Sequence, residues 1–257
     1  MFAMLRRHCV SSVILTVFVL VFITIYLAVV WGIGQLAFKH EVDGSFITRN
    51  GQVVGSRLIG QAFTNENGEP LRQYFQSRPS ATEEFAYNAT KSGASNLGPG
   101  SPKLVGFLPG FNTPSKAANP YATREEPYCV PTNEEGEPVI EPEPGEKLVK
   151  KNGAYACDSE TIPERVKAYR ELNELPASVR VPVDAVTASA SGLDPEISIA
   201  NADLQAPRVA KVRKLQASEV LALVKKYTHP RSLGFLGEPG VNVLELNLAL
   251  DRLQKKG

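Results

Sequence analysis

From Val13 to Trp31 the chain reads VILTVFVLVFITIYLAVVW, nineteen residues without a charge, and the uncharged run continues to Phe38. At about 1.5 Å of rise per residue, a helix needs about 20 apolar residues to cross the hydrocarbon core of a bilayer. The run is apolar on every side, too long and too uniform for a helix buried in a soluble core. Thr16 and Thr24 fit, because a threonine hydroxyl can bond back to its own helix. Arg6 and Arg7 precede the span, and Lys39, Glu41 and Asp43 follow it. Basic flanks stay inside, so residues 1–12 are expected in the cytoplasm, 13–37 in the membrane and 38–257 outside it. A cleaved signal peptide has an apolar core of about 7–15 residues ahead of a small-x-small site. Residues 31–37, WGIGQLA, offer no convincing site, so the anchor is expected to remain. Gly32 and Gly34, near its outer end, would let a partner helix approach closely.

The remaining ~215 residues are enough for one domain with its own core. The net charge of +1 gives nucleic acid nothing to bind. There is no HExxH, paired CxxC or EF-hand pattern, so no dedicated metal site is expected. GxxxxGK[ST] and GxGxxG are absent as well, and with them any independent nucleotide-hydrolysing signature. The Ser189-Ala190-Ser191-Gly192 turn lacks the elbow that a nucleophilic serine needs. His229, ahead of Pro230, reads as a partner for the last carbonyls of a helix. Asp184, Asp194 and Glu196 include a plain turn signal, Asp194-Pro195, which accounts for them without acid–base chemistry.

Along the chain, Asn50-Gly51 between two short β-prone runs predicts a hairpin over residues 45–56. Tyr74–Ser80, Tyr87-Asn88 and Ser92–Pro99 are dense in Gly, Ser, Asn and Pro and read first as loop. Loops of this kind can also cradle an anion or a partner's backbone. From about Gly106 to Ser159 repeated prolines and glutamates break every period, which reads as an irregular insertion. Cys129 and Cys157 lie in the exported part, where disulfides persist. A bridge between them would close a loop of about 28 residues, worth roughly 3 kcal/mol in the chain-entropy model. Pro163 near a first turn predicts a short helix, Val181–Thr187 looks strand-like, and Pro207 can open a helix. Val220, Leu221, Val224 and Tyr227 mark another helix, and Asn242 followed by Glu245 caps a last one with Leu246, Leu250 and Leu253 on one face. The fold class is thus one N-terminal transmembrane helix followed by a mixed α+β extracytoplasmic domain.

Several strings together resemble a known family. They are Gly55–Gln61, Tyr74-Phe75 with Arg78-Pro79-Ser80, Tyr87-Asn88, Ser92–Pro99, Val183–Pro195, Pro207–Ala210, Leu233–Pro239 and Asn242–Asp251. In this order after a single span, they resemble the C subunit of the Kdp high-affinity potassium-transporting P-type ATPase. Three departures stand out: the long insertion, Glu196 where relatives commonly have His, and Tyr227-Thr228 where they commonly have a His-Thr pair.

The resemblance implies an accessory, non-catalytic subunit in the bacterial inner membrane, with a cytoplasmic N-terminus and a periplasmic domain. It would stabilise the assembly of a potassium-channel-like subunit and a P-type ATPase pump subunit, beside a small single-span subunit. It also implies a role in raising the pump's affinity for ATP, carried over here to Ser56, Leu58, Ile59, Gly60 and Gln61. ATP enters by that association alone, and no other cofactor is expected. Arg78 and Asn96 are the loop candidates for partner contact. The alternative is a stand-alone, membrane-tethered periplasmic enzyme or binding module.

Overall fold

The structure is a computed structural model and describes residues 2–82, 84–95, 131–134, 139, 147–151, 154–155 and 161–254. The chain divides into two compact units, Met1–Leu58 and Ile59–Gly257. In the first, helix α1 (Phe2–Ala37) runs for 36 residues, about 54 Å at the standard rise. Its stretch Arg6–Ala37 is long and apolar enough to cross a membrane, and none of it is buried in the protein. The Thr24 hydroxyl donates to the Leu20 carbonyl (2.8 Å), so it brings no unpaired donor into an apolar setting. After the single turn α2 (Lys39–Val42) comes the expected hairpin, β1 (Phe46–Arg49) with β2 (Gln52–Ser56). Asn50 and Gly51 take φ of 52° and 78°, as this two-residue turn demands.

The second unit begins as an irregular segment over the described residues 59–82 and 84–95. Beyond it lie the short pair β3 (Lys150–Lys151) and β4 (Ala154–Tyr155). Helix α3 (Ile162–Asn173) opens at Thr161 with Pro163 in its first turn. Residues Val181–Thr187 do not form the expected strand. Val183–Ala185 is a 3-10 turn instead, because Asp184 is drawn across to accept from the Ser198 N–H and hydroxyl and the Asn201 amide (2.8–3.0 Å). Strand β5 (Glu196–Ser198) runs straight into α4 (Ile199–Arg213), capped by Ser198. Pro207 therefore lies inside α4 rather than at its start. It is tolerated because Pro207 and Asp203 are both on the exposed side, where water can take the freed Asp203 carbonyl. Helix α5 (Ala217–Lys226), strands β6 (Thr228–His229) and β7 (Gly240–Asn242), and helix α6 (Val243–Gln254) complete the unit. The sheet is antiparallel in the order β5-β7-β6. Asn242 Oδ1 accepts from the Glu245 N–H (3.0 Å), which is the expected cap of α6.

Ala206, Val209, Val220, Val224, Leu246 and Leu250 form the core with Ile197 and Val241 of the sheet. Phe75, fully buried, enters this core from the irregular segment. Among the described residues no named strand pairs with that segment; side chains hold it. Asn247 donates to the Phe75 carbonyl (3.0 Å) and accepts from its N–H (2.9 Å). Gln205 does the same for Gln76 (3.0 and 2.7 Å). Two amides thus substitute for a neighbouring strand's peptide groups. Arg208 completes the grip. Only 2% exposed, it donates to Asn173 Oδ1 (2.8 Å), Gln205 Oε1 (3.0 Å), the Tyr74 carbonyl (3.0 Å) and the Arg72 carbonyl. None of these partners is a carboxylate; carbonyl dipoles carry the charge. Burial pulls the Arg208 pKa down to about 10, so it remains cationic at neutral pH.

Candidate functional site

The residues singled out in the sequence fall in different places. Ser56 and Leu58 belong to the first unit. There the Ser56 hydroxyl donates to the Gly44 carbonyl (2.7 Å) and accepts from the Leu58 N–H (3.1 Å). Ile59 opens the second unit, and Gly60 and Gln61 follow it. Gly32 faces open space, whereas a side chain at Gly34 would meet Val42 Cγ2 at 3.1 Å. Asn96, Cys129 and Cys157 lie outside the described residues. Cys9 is a free, exposed thiol.

Gly60, Gln61 and Arg78 come together in one hydrogen-bonded knot. The Gly60 N–H donates to the Leu193 carbonyl (2.8 Å). A Cβ on Gly60 would overlap the Tyr87 ring and sit 2.6 Å from the Asp194 carbonyl oxygen. The Gln61 carbonyl accepts from the Ser77 hydroxyl (3.0 Å). Arg78 Nη1 pairs with Asp194 Oδ2 (2.9 Å), and its carbonyl accepts from the Tyr87 phenol (2.8 Å). Asp194 Oδ1 accepts from the Glu196 N–H (3.0 Å), which is the expected Asx turn. The Ser80 hydroxyl donates to the Gly192 carbonyl (2.7 Å) and accepts from the Tyr87 N–H (3.0 Å). The Gly93 N–H and the Ser92 hydroxyl both reach the Ser191 carbonyl (3.0 and 2.9 Å). Gly60, Arg78–Ser80 and Ser92-Gly93, each about a hundred residues or more away in sequence, thus close on Ser191–Asp194.

Tyr87 sits at the centre with φ of 64°. Burial, the largest cause, pushes its phenol up to about 12. In alkaline titration followed by tyrosinate absorbance, Tyr87 is therefore expected to ionise about two units above an exposed phenol. Tyr87→Phe should remove one late step. A variant whose late steps are unchanged would show that Tyr87 is open to solvent. The sign is that of a raised acid: stability is intact below the unfolded phenol's pKa and falls as pH rises through about 12.

Beside the knot is a cavity of about 270 Å³ lined by Gln76, Ser77, Arg78, Arg165, Tyr169 and Asn201, among others. Polar groups of its lining bond within the protein: Tyr169 donates to Asn201 Oδ1 (2.8 Å), and Arg165 donates to the Val186 carbonyl (3.0 Å). His229 does not cap its helix as expected. The chain has already turned into β6, and the Thr228 hydroxyl bonds the Val224 carbonyl (2.8 Å) instead. His229 Nδ1 lies 2.7 Å from Glu196 Oε1, and Nε2 lies 3.5 Å from Glu245 Oε2. This places the imidazole between two carboxylates. Among the described residues, no group of three or more His, Cys, Asp or Glu side chains is placed to hold a metal ion.

The sequence matches the family model described as K+-transporting ATPase, c chain, over residues 9–133 and 146–252. The chain belongs to this KdpC family. Its relatives include the potassium-transporting ATPase KdpC subunit of Mycobacterium tuberculosis, 38% identical over 97% of this chain and 100% of the relative. The corresponding subunits of Janthinobacterium sp. (strain Marseille) and Paraburkholderia phymatum are 39% and 40% identical. They cover 94% and 90% of this chain, and 96% and 88% of their own lengths. KdpC is a subunit of a potassium-transporting ATPase, which fits a potassium uptake complex. The match lapses over residues 134–145, inside the acidic, proline-rich stretch, and takes in every residue of the knot.

Proposed function

We propose that this chain is the accessory, non-catalytic subunit of an ATP-driven, high-affinity potassium uptake complex. The observation that carries the reading is the family match along nearly the whole chain. In this reading α1 is the anchor in the inner membrane, with residues 1–12 in the cytoplasm and 38–257 in the periplasm, an orientation supported by the basic flank Arg6-Arg7. The chain joins a potassium-channel-like subunit, a P-type pump subunit and a small single-span subunit. Gly32 offers a neighbouring helix an open notch, and Gly34 is the second small position on the same turn. Arg78 and the Asn96 loop complete the set of partner-contact candidates. Arg78 acts there by holding the knot together, because its guanidinium is bonded to Asp194 and Ala188.

A gain in the pump's ATP affinity would reach it through assembly in this reading. The orientation separates Ser56–Gln61 from cytoplasmic ATP. The Leu58 and Gly60 N–H groups, which a phosphate cradle would need, already donate within the protein. The test is to express the channel-like and pump subunits with and without this chain. Omission is expected to abolish their stable association and the K+-stimulated ATPase activity. Substitution of Gln61 by Ala in the complete complex is expected to leave the ATP dependence unchanged. Full activity without the chain would contradict the assembly role, and weakened ATP dependence in a well-folded Gln61→Ala complex would restore direct contact.

A further inference from the structure

One donor in the lining of the cavity beside the knot is left without an acceptor. The neutral polar groups there are engaged within the protein. The Gln76 amide donates to the Phe63 and Leu71 carbonyls (3.1 and 3.0 Å), and the Ser77 hydroxyl to the Gln61 carbonyl. The Asn201 amide donates to Asp184, and the Gln205 amide to the Gln76 carbonyl (3.0 Å each). Arg78 differs. Its Nε–H is buried and has no partner among the described residues. Nη2, which shares an edge of the guanidinium with Nε, makes one long bond, to the Ala188 carbonyl at 3.4 Å. Asp194 is held at Nη1 instead (2.9 Å). A buried N–H left unbonded costs about 1–3 kcal/mol. Arg165 brings a second positive charge to the lining, and among the described residues no carboxylate belongs to it. Pro70, Pro79, Leu172 and Ala185 supply apolar walls.

We propose that this cavity is a binding site for a small organic carboxylate. One carboxylate oxygen accepts from Arg78 Nε and the other from Nη2, the side-on pairing that a guanidinium's fixed fork offers to two parallel acceptors. The apolar body of the ligand lies against Pro70, Pro79, Leu172 and Ala185. The volume of about 270 Å³ is just below the range of ordinary ligand pockets, which starts at about 300 Å³, and so suits a small acid. Two guanidiniums disfavour a cation. Phosphate matches less well, because its oxygens beyond the two at the fork would face apolar walls without donors. The site belongs to this chain alone and goes beyond the subunit reading. The carboxylate supports the same arginine that holds the knot, so occupancy and the stability of the domain rise together.

The test titrates sodium benzoate, a carboxylate on one apolar ring, into the full chain in mild detergent and follows it by calorimetry and melting temperature. One saturable site is expected, with a melting temperature that rises with benzoate concentration. Benzamide, a neutral molecule of the same shape, and inorganic phosphate are expected to bind about tenfold more weakly or less. Ala168→Leu locates the site. Ala168 is exposed on α3 and lines the cavity, and leucine is nearly as good a helix former as alanine. This change is expected to abolish binding and leave the melting temperature of the unliganded chain where it was. Arg78→Lys keeps a cation for Asp194 but loses the fork, and is expected to weaken benzoate binding about tenfold. Should Arg78→Lys fail to fold, benzamide and Ala168→Leu still decide the case. No saturable binding, equal binding of benzamide or phosphate, or benzoate binding that survives Ala168→Leu would overturn the proposal.

Discussion

Arg208→Met is expected to remove about 4 kcal/mol of folding stability, a large part of the 5–15 kcal/mol typical of a whole domain. Methionine keeps much of the stem volume, so the loss comes from polar groups left behind and not from a cavity. The Arg72 carbonyl and Asn173 Oδ1 would lose the donors that Arg208 gives them. The Tyr74 carbonyl would keep only a long bond from the Gln76 amide (3.4 Å). Gln205 Oε1 would still accept from the Gln76 N–H (2.7 Å). One buried acceptor, Asn173 Oδ1, and one partly buried acceptor, the Arg72 carbonyl, at about 1–3 kcal/mol each give the figure. Arg208→Lys should recover part of the loss, since an ammonium restores charge and donors but not the fork that reaches several acceptors at once. Denaturation of the full chain in mild detergent, followed by helical circular dichroism, measures both. If Arg208→Met melted like the parent, the site would be hydrated and the grip on residues 72–76 incidental.

Gly60→Ala is the second large effect, with an expected loss of about 3 kcal/mol. The added methyl would meet the Tyr87 ring on one side and the Asp194 carbonyl on the other. The ring cannot swing aside without breaking the bond from its phenol to the Arg78 carbonyl (2.8 Å). Combining Gly60→Ala with Tyr87→Ala should therefore cost less than the sum of the two single changes, because the second removes the obstacle met by the first. Strict additivity would show that the two positions do not touch. The prediction also bears on activity. A pump weakened by a Gly60 substitution should carry a less stable subunit, and a melting curve distinguishes that from the loss of a nucleotide contact.

What the sequence revealed and what it hid divide by range. The long apolar N-terminal helix, the Asn50-Gly51 hairpin, the Pro163 helix and the Asn242 cap follow from residues close in sequence, and all four stand in the structure. Pro207 suggests a helix start by its ring, while the start signal of α4 is Ser198, at the end of a three-residue strand that leaves no period in the sequence. Val181–Thr187 has strand-like composition but is bent by a distant demand, that of the α4 N-terminus on Asp184. His229 follows a helix end in the sequence, yet its partners come from β5 and α6. The strings that carried the family resemblance were visible one by one. Their meeting at Ser191–Asp194 and the burial of Arg208 were not, because each depends on contacts about a hundred residues apart.

The measurement closest to the central claim is co-purification of the tagged chain from native membranes in mild detergent. The subunit reading predicts one peak that holds large polytopic partners together with ATPase activity stimulated by K+. A lone monodisperse chain, without partners and without ATPase activity, would contradict it and point to a tethered module acting alone.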